Sequence, residues 1–209
     1  IKKGHVIKYR LPRNIIARMQ SLEYDRSFLA ARILLDKINA NMIISGAFGL
    51  FEKKTVIAVG GYDSSTMGED MELVVRLHEF SRMNRKPYKI DFAQDAICWS
   101  QTPEKSSELG KQRKRWQRGL FQCMWGHRKM LANPRYGAVG LLSYIYFLFY
   151  ELLSPFIELF GVLTMVLSVM MDMLNVKFML VFLACYALYG ILLTLTAYFS
   201  RIYTIDQRL

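Results

Sequence analysis

Cysteine is scarce: Cys98, Cys123 and Cys185 are odd in number and far apart, which excludes a disulfide scaffold and leaves reduced, structural thiols as the simplest reading. With 13 glycines and 5 prolines in 209 residues there is no collagen-like repeat, and a hydrophobic content of 53% excludes intrinsic disorder. There is no P-loop, no G-x-G-x-x-G, no C-x-x-C and no internal repeat. His5, His78 and His127 make no metal-ligand spacing with the cysteines, so no zinc site is expected. Asp-x-Asp is missing as well, and the candidates Asp25 and Asp36 stand alone inside a helical pattern. Long apolar runs are lacking before Tyr136, and charge is nearly lacking after it, which excludes a uniform soluble domain.

What is present is basic. Lys and Arg number 28 against 17 Asp and Glu, a formal net charge of +11. The chain opens on Lys2, Lys3, Lys8, Arg10 and Arg13, without an initiator Met or the apolar core of a signal peptide, so the expectation is a piece of something longer.

From Ile1 to about Pro134 short apolar runs alternate with charged segments. Ile15 to Ile38 predicts a helix or helix pair, with apolar residues at Ile16, Met19, Phe28, Leu29, Ile33, Leu34 and Ile38 and no internal Pro or Gly. Met42 to Phe51 is an apolar run broken by Gly46 and Gly49, which reads as a buried strand with a close backbone approach nearby. Gly60-Gly61-Tyr62-Asp63 is turn chemistry. From Glu69 the spacing becomes helical, Leu73, Val74, Leu77 and Phe80 opposing Glu72, Arg76 and Glu79. Tyr88 to Phe92 and Ala96 to Trp99 read as strands, and Glu104 to Met130 as a basic helix. The alternation predicts an α/β class for residues 1–134.

Residues 135–209 face another solvent. Phe178 to Phe199 holds no formal charge over a length that suits a hydrocarbon core. Val139 to Met171 is interrupted by Glu151, Pro155 and Glu158, which fits an interfacial helix over about 140–153 and a span over about 156–171, or one kinked long helix; a buried core helix stays open for each run. Arg128, Lys129 and Arg135 precede the spans and Arg201 and Arg208 follow them, which puts the basic region and the C-terminus in the cytosol. Glu151 and Glu158, seven apart, fall near one helical face that would meet protein or headgroups.

Two constellations can carry chemistry. Gly68-Glu69-Asp70 stands where a glycine-rich loop enters a helix. The helix dipole alone explains most such acidic pairs, but an ionised Asp fixed there could also take a proton from a hydroxyl. In Gln112-Arg113-Lys114-Arg115-Trp116, positions 112, 115 and 116 share one helical face. A guanidinium grips phosphate oxygens, an amide adds a donor and an indole offers a platform for a sugar. For Trp125, anchoring at a membrane interface explains the residue.

In order, Ser45-Gly46-Ala47-Phe48-Gly49-Leu50-Phe51, Gly60-Gly61-Tyr62-Asp63, Gly68-Glu69-Asp70-Met71-Glu72-Leu73, Cys98-Trp99-Ser100-Gln101-Thr102-Pro103-Glu104 and Gln112-x-x-Arg115-Trp116 resemble the C-terminal half of a membrane-bound family 2 glycosyltransferase. The processive synthases of cellulose, hyaluronan and poly-N-acetylglucosamine are the most similar members. The resemblance covers about residues 40 to 120 and rests on the E-D and Q-x-x-R-W motifs, about 40 residues apart and ahead of membrane helices. It implies a GT-A-like domain followed by interfacial and transmembrane helices, in a multi-pass protein of the cell (inner) membrane with its catalytic part cytosolic. It implies Asp70 as the base that deprotonates an acceptor hydroxyl for inverting attack on a nucleotide sugar, with UDP as the expected nucleotide. Gln112 and Arg115 would hold the diphosphate, Trp116 would lie under the acceptor sugar, Phe48 and Gly49 belong to a loop shaping the acceptor site, and Glu69 would support the substrate site. The family's uracil-binding strand and D-x-D motif are not found, so they and the ligands of a Mg or Mn ion are expected upstream, and this piece is expected to be inactive alone. Further spans are expected beyond Leu209.

A growing polysaccharide is the expected acceptor, with a glycolipid-forming enzyme as the alternative. From another class, the +11 charge suits a basic membrane-tethered module binding anionic lipid or nucleic acid, but cytosolic Lys and Arg are ordinary in membrane proteins and no nucleic-acid partner is expected. A transporter finds no support in the sequence beyond the two glutamates.

Overall fold

The structure, a computed structural model, describes residues 12–27, 31–46, 48–93, 96 and 100–206, and their side chains except those of 197, 198 and 200–206. The helix pair expected at the start is present as α1 (Ile15–Arg26) and α2 (Arg32–Lys37). Asn14 caps α1, its side-chain oxygen accepting from the backbone N–H of Ile16 at 2.8 Å and Ala17 at 3.2 Å. The same side chain donates to the carbonyl of Glu104, and Gln20 donates to that of Pro103, so α1 is docked on the segment that leads into the basic helix.

Two of the three strand expectations, over 42–51 and 88–92, do not survive as strands. Residues 41–45 run without regular structure, and among the described residues no strand is present, so the α/β class receives no support from the backbone. For residues 88–92 the reason is visible. Asn39 donates to the carbonyl of Tyr88 and accepts from the N–H of Ile90, and Asp36 accepts from the N–H of Phe92. Alternate backbone groups of an extended segment are satisfied by side chains at the end of α2, where a ladder would have used a neighbouring strand. Of the third segment, Ile97, Cys98 and Trp99 lie outside the described residues, as do Lys2, Lys3, Lys8, Arg10 and Ala47.

A short helix, α3 (Lys53–Ala58), stops at Gly60 and Gly61, whose φ values of 92° and 76° need glycine and make the expected turn. Next comes α4 (Glu69–Met83), which buries Leu73, Val74 and Leu77 as its periodicity requires. Glu72, assigned to the polar face, is buried too. The basic helix is α5 (Ser106–Gly126), followed by single turns at Arg128–Met130 and Pro134–Tyr136.

The apolar region begins with α6 (Val139–Leu152), largely wound with i to i+5 bonds, and continues after a 52° bend as α7 (Ser154–Met170). The bend separates Glu151 from Glu158, so the two do not share a face of one helix as their spacing suggested. Far from lying free, α6 closes the core: Val139, Tyr144, Phe147 and Leu152 pack with Ala40, Met42, Met71, Val75, Cys123, Met124 and Met130. Ser143 donates to the buried carbonyl of Ala40 and Tyr144 to that of Met124. One core therefore runs across residue 134. The last helix, α8 (Val176–Asp206), contains over 176–196 a stretch long and apolar enough to cross a membrane, and the bent α6–α7 pair is a second such element if counted as one span. Helix α1 lies against α8, where Arg26 lines a groove with Ala187, Gly190, Ile191, Thr194 and Leu195.

Candidate active site

The site is built where α4 begins. Three acids, Glu69, Asp70 and Glu72, occupy its first turn, where free N–H groups and the helix dipole favour negative charge. Asp70 is held from two sides: Oδ2 accepts from the N–H of Gly46 at 3.0 Å, and Oδ1 from the N–H of Met71 at 2.8 Å. The close backbone approach expected near Met42 to Phe51 is this contact. A Cβ on Gly46 would stand 3.3 Å from that of Asp70, so glycine is what lets the loop reach the carboxylate. Glu69 points outward and is exposed.

The second motif meets the first through α5. Gly68 and Gly119 touch backbone to backbone, and Gln122 accepts from the N–H of Met67 at 2.9 Å. At 1.5 Å rise per residue, Trp116 and Arg115 lie roughly 4.5 and 6 Å along the α5 axis from that crossing, and Gln112 roughly 10 Å. Asp70 and the Gln112–Trp116 turn are thus brought to neighbouring parts of one helix pair. Arg115 is exposed. The Oε1 atom of Gln112 is buried and accepts no hydrogen bond from the described residues. Trp116 is 39% exposed, tilted against Tyr24 at 6.5 Å between ring centres, with the Arg113 guanidinium 4.9 Å over its face. Arg113 is fixed in turn by a fork of bonds to Glu23 at 2.7 and 2.5 Å. Phe48 is exposed after a tight turn closed by its own N–H on Ser45, and Gly49 is pressed against Phe51 and Ile44. Trp125 is exposed and stacked on Phe121, as an interface anchor would be.

Several residues around the site were not singled out from sequence. Burial pushes the Arg32 guanidinium down to about 10, while the carboxylates of Asp70 and Glu151 oppose that shift, so Arg32 lies within electrostatic reach of both. Burial pushes the Cys123 thiol up to about 12, with Glu72 and Asp70 adding to it, which makes this cysteine an inert part of the core. Beneath the site, Arg76 binds Glu72 at 2.7 Å and donates to the carbonyls of Val59 and Gly61, while His127 meets Glu79 at 2.6 Å and Glu72 at 3.4 Å. This network ties the glycine turn and the end of α5 to α4. Gly119 did carry a signal, because glycine inside a helix marks a close packing contact. Arg32 carried one as a cation within an apolar pattern.

The family model described as glycosyl transferase family group 2 matches residues 4–205. Among curated proteins the chain is 31% identical over 120 residues to the poly-beta-1,6-N-acetyl-D-glucosamine synthase of Staphylococcus aureus (strain COL), covering 57% of this chain and 26% of that protein. The synthase of the same name from Staphylococcus epidermidis (strain ATCC 35984) matches with the same identity and coverage. The chain thus aligns with about a quarter of the length of these relatives. No solved structure matches. With a match that spans nearly all of its residues, the chain belongs to glycosyl transferase family group 2.

Proposed function

We propose that the protein is an inverting glycosyltransferase that moves a sugar from a nucleotide sugar, UDP-linked, to a growing polysaccharide at the cytosolic face of the cell membrane. The observation that carries this reading is the crossing of α4 and α5, which sets a backbone-held carboxylate beside a turn bearing an amide, a guanidinium and an indole. Asp70 takes the proton of the acceptor hydroxyl as its oxygen bonds the anomeric carbon, and the bond from that carbon to the diphosphate breaks on the opposite side. Arg115, through its guanidinium, and Gln112, through its side-chain NH2, offer donors to the leaving diphosphate as its charge grows. Trp116, with Arg113 covering one face, presents its remaining surface to the acceptor sugar, and Phe48 and Gly49 border the same site. Glu69 supports the substrate site from the exposed side. The Mg or Mn ion of this reading finds no fit here: among the described residues no three His, Cys, Asp or Glu side chains group to hold one.

The membrane placement rests on α8 and the bent α6–α7 pair. Arg128, Lys129 and Arg135 before the apolar helices and Arg201 and Arg208 after them are in keeping with a cytosolic C-terminus and a multi-pass path. The partners are then the nucleotide sugar, the polysaccharide and the bilayer, with no nucleic acid. The relatives' name points to N-acetylglucosamine polymers as the first product class to test.

The test is release of UDP by membranes carrying the full-length protein, offered a panel of UDP-sugars with Mg or Mn. One sugar should turn over, Asp70→Asn should lower that turnover by about a thousandfold, and Trp116→Ala should weaken it through the acceptor. Product size separates a polymer from a glycolipid. Turnover by Asp70→Asn equal to wild type would overturn the assignment of the base.

A further inference from the structure

The two halves of the proposed site are joined at one place. A Cβ built on Gly119 would stand 2.7 Å from the backbone nitrogen of Gly68, 2.8 Å from its Cα and 3.0 Å from the carbonyl carbon of Met67. From the other side, a Cβ on Gly68 would meet the Cα of Gly119 at 3.1 Å and its carbonyl carbon at 3.2 Å. All of these are main-chain atoms, so no rotamer change can relieve the overlap. Gly119 is buried, and one turn further Gln122 uses its side-chain oxygen to accept from the N–H of Met67 at 2.9 Å. The other two glycines of α5 behave differently: nothing lies within 4 Å of a Cβ added to Gly110 or Gly126. Glycine weakens a helix interior, so its presence at 119 calls for a local reason, and the contact with Gly68 supplies it.

We propose that Gly119 and Gln122 are positioning residues for sugar transfer, forming a main-chain seam that fixes the Asp70 helix terminus against the turn carrying Gln112, Arg115 and Trp116. The inference rests on the roles of Asp70 and that turn argued above. Neither Gly119 nor Gln122 touches substrate. Gly68 is two residues from Asp70, and Gly119 is three from Trp116, so a displacement at the seam passes almost undiminished to the separation of base and diphosphate-binding groups. Transfer depends on that separation to a fraction of an ångström. The donor-binding groups described, Gln112 and Arg115, both lie on α5 and move together. The seam therefore acts on kcat and not on KM for the donor.

The experiment compares Gly119→Ala, Gln122→Ala and Gln122→Glu with Gly110→Ala and Gly126→Ala in the full-length protein in membranes, measuring kcat and KM for the UDP-sugar that turns over and the folded yield after detergent extraction. Gly119→Ala is expected to lower kcat at least tenfold with KM within twofold of wild type, and the two control glycines to leave both unchanged. Gln122→Ala should lower kcat about threefold to tenfold, and Gln122→Glu should restore it to within twofold, because a carboxylate still accepts from the N–H of Met67. If folded Gly119→Ala keeps wild-type kcat, the seam has no positioning role. If Gly119→Ala does not fold, the glutamine pair decides: equal kcat for Gln122→Ala and wild type, or an equal loss in Gln122→Ala and Gln122→Glu, overturns the inference. Asp70→Asn is measured beside them. Its inactivity together with an unaffected Gly119→Ala overturns the seam alone, whereas wild-type turnover by Asp70→Asn removes the base that the seam is meant to place.

Discussion

Helices α4 and α8 solve opposite problems with similar aliphatic residues. In α4 Leu73, Val74 and Val75 are fully buried, acidic and basic residues stand on the other side, and some of those charges are tied down: Glu72 by Arg76 and His127, Glu79 by His127. In α8 Val181, Phe182, Leu188, Leu192 and Leu195 are all exposed, and apolar residues surround the helix on every side over 178–199. A stripe implies a protein core on one side and water on the other; a full apolar circumference suits a helix with no side turned to water, and α1 covers only part of α8. Between them stands α6, apolar like α8 yet buried along one side like α4, and it joins the apolar C-terminal helices to the core.

That comparison can be broken or sharpened by measurement. The largest effect is expected from Leu73→Ala, a cavity in a fully buried position that should cost about 4 kcal/mol in denaturant unfolding of the detergent-solubilised protein. Acid comes next. His78 is fully enclosed; its Nε2–H donates to the carbonyl of Asn41 at 2.8 Å, and its Nδ1 accepts from the Tyr88 hydroxyl at 2.7 Å, which itself accepts from Arg82. Burial pushes this imidazole down from 6.5 to about 4. Below pH 6.5 the unfolded chain takes up a proton that the native state refuses until about pH 4. Stability is therefore full above pH 6.5 and falls through that window by on the order of 3 kcal/mol, a loss that His78→Gln should largely remove.

On the membrane side, Val181→Arg changes an exposed residue and would be nearly silent in water, yet it should disfavour insertion by about 3 kcal/mol, read as a shift of the protein from membranes to the soluble or aggregated fraction. The smallest effect belongs to Leu192→Ala, expected within about 0.5 kcal/mol because neither state loses a packed contact. A cost for Leu192→Ala close to that of Leu73→Ala would mean that α8 is covered by protein, and the contrast between the two helices would fail.

Much of this was legible in the chain. Helix periodicity located α1, α2, α4 and α5, two positive-φ glycines marked the turn before Asp70, and the change of composition after Tyr136 marked the apolar helices. Strands were not legible in the same way. An apolar run or an alternating pattern states that a segment is extended and partly buried, but a strand needs a neighbour, and residues 88–92 found theirs in the side chains of Asn39 and Asp36. The burial of Glu72 escaped for a related reason: a carboxylate paired with Arg76 on the polar side of its own helix becomes internal once His127 arrives from the end of α5. Arg32 beside Asp70 is of the same kind, a charge whose meaning depends on residues distant in sequence.

By itself, then, the sequence determined which residue types are available for chemistry and where the longer helices lie, though not the short α3, because side-chain identity and periodicity are local properties. It placed Asp70 at a helix entrance and put Gln112, Arg115 and Trp116 on one helical face. Only the tertiary structure decided that these two motifs meet, since their separation is set by the bare backbone contact of Gly68 with Gly119 and by the hydrogen bond from Met67 to Gln122. It also decided that α6 seals the core beneath α4 and α5 while most of α8 stays exposed, although both are apolar. Hydrophobicity fixes that a side chain leaves water; which apolar phase receives it, protein interior or lipid, depends on what the rest of the fold brings alongside.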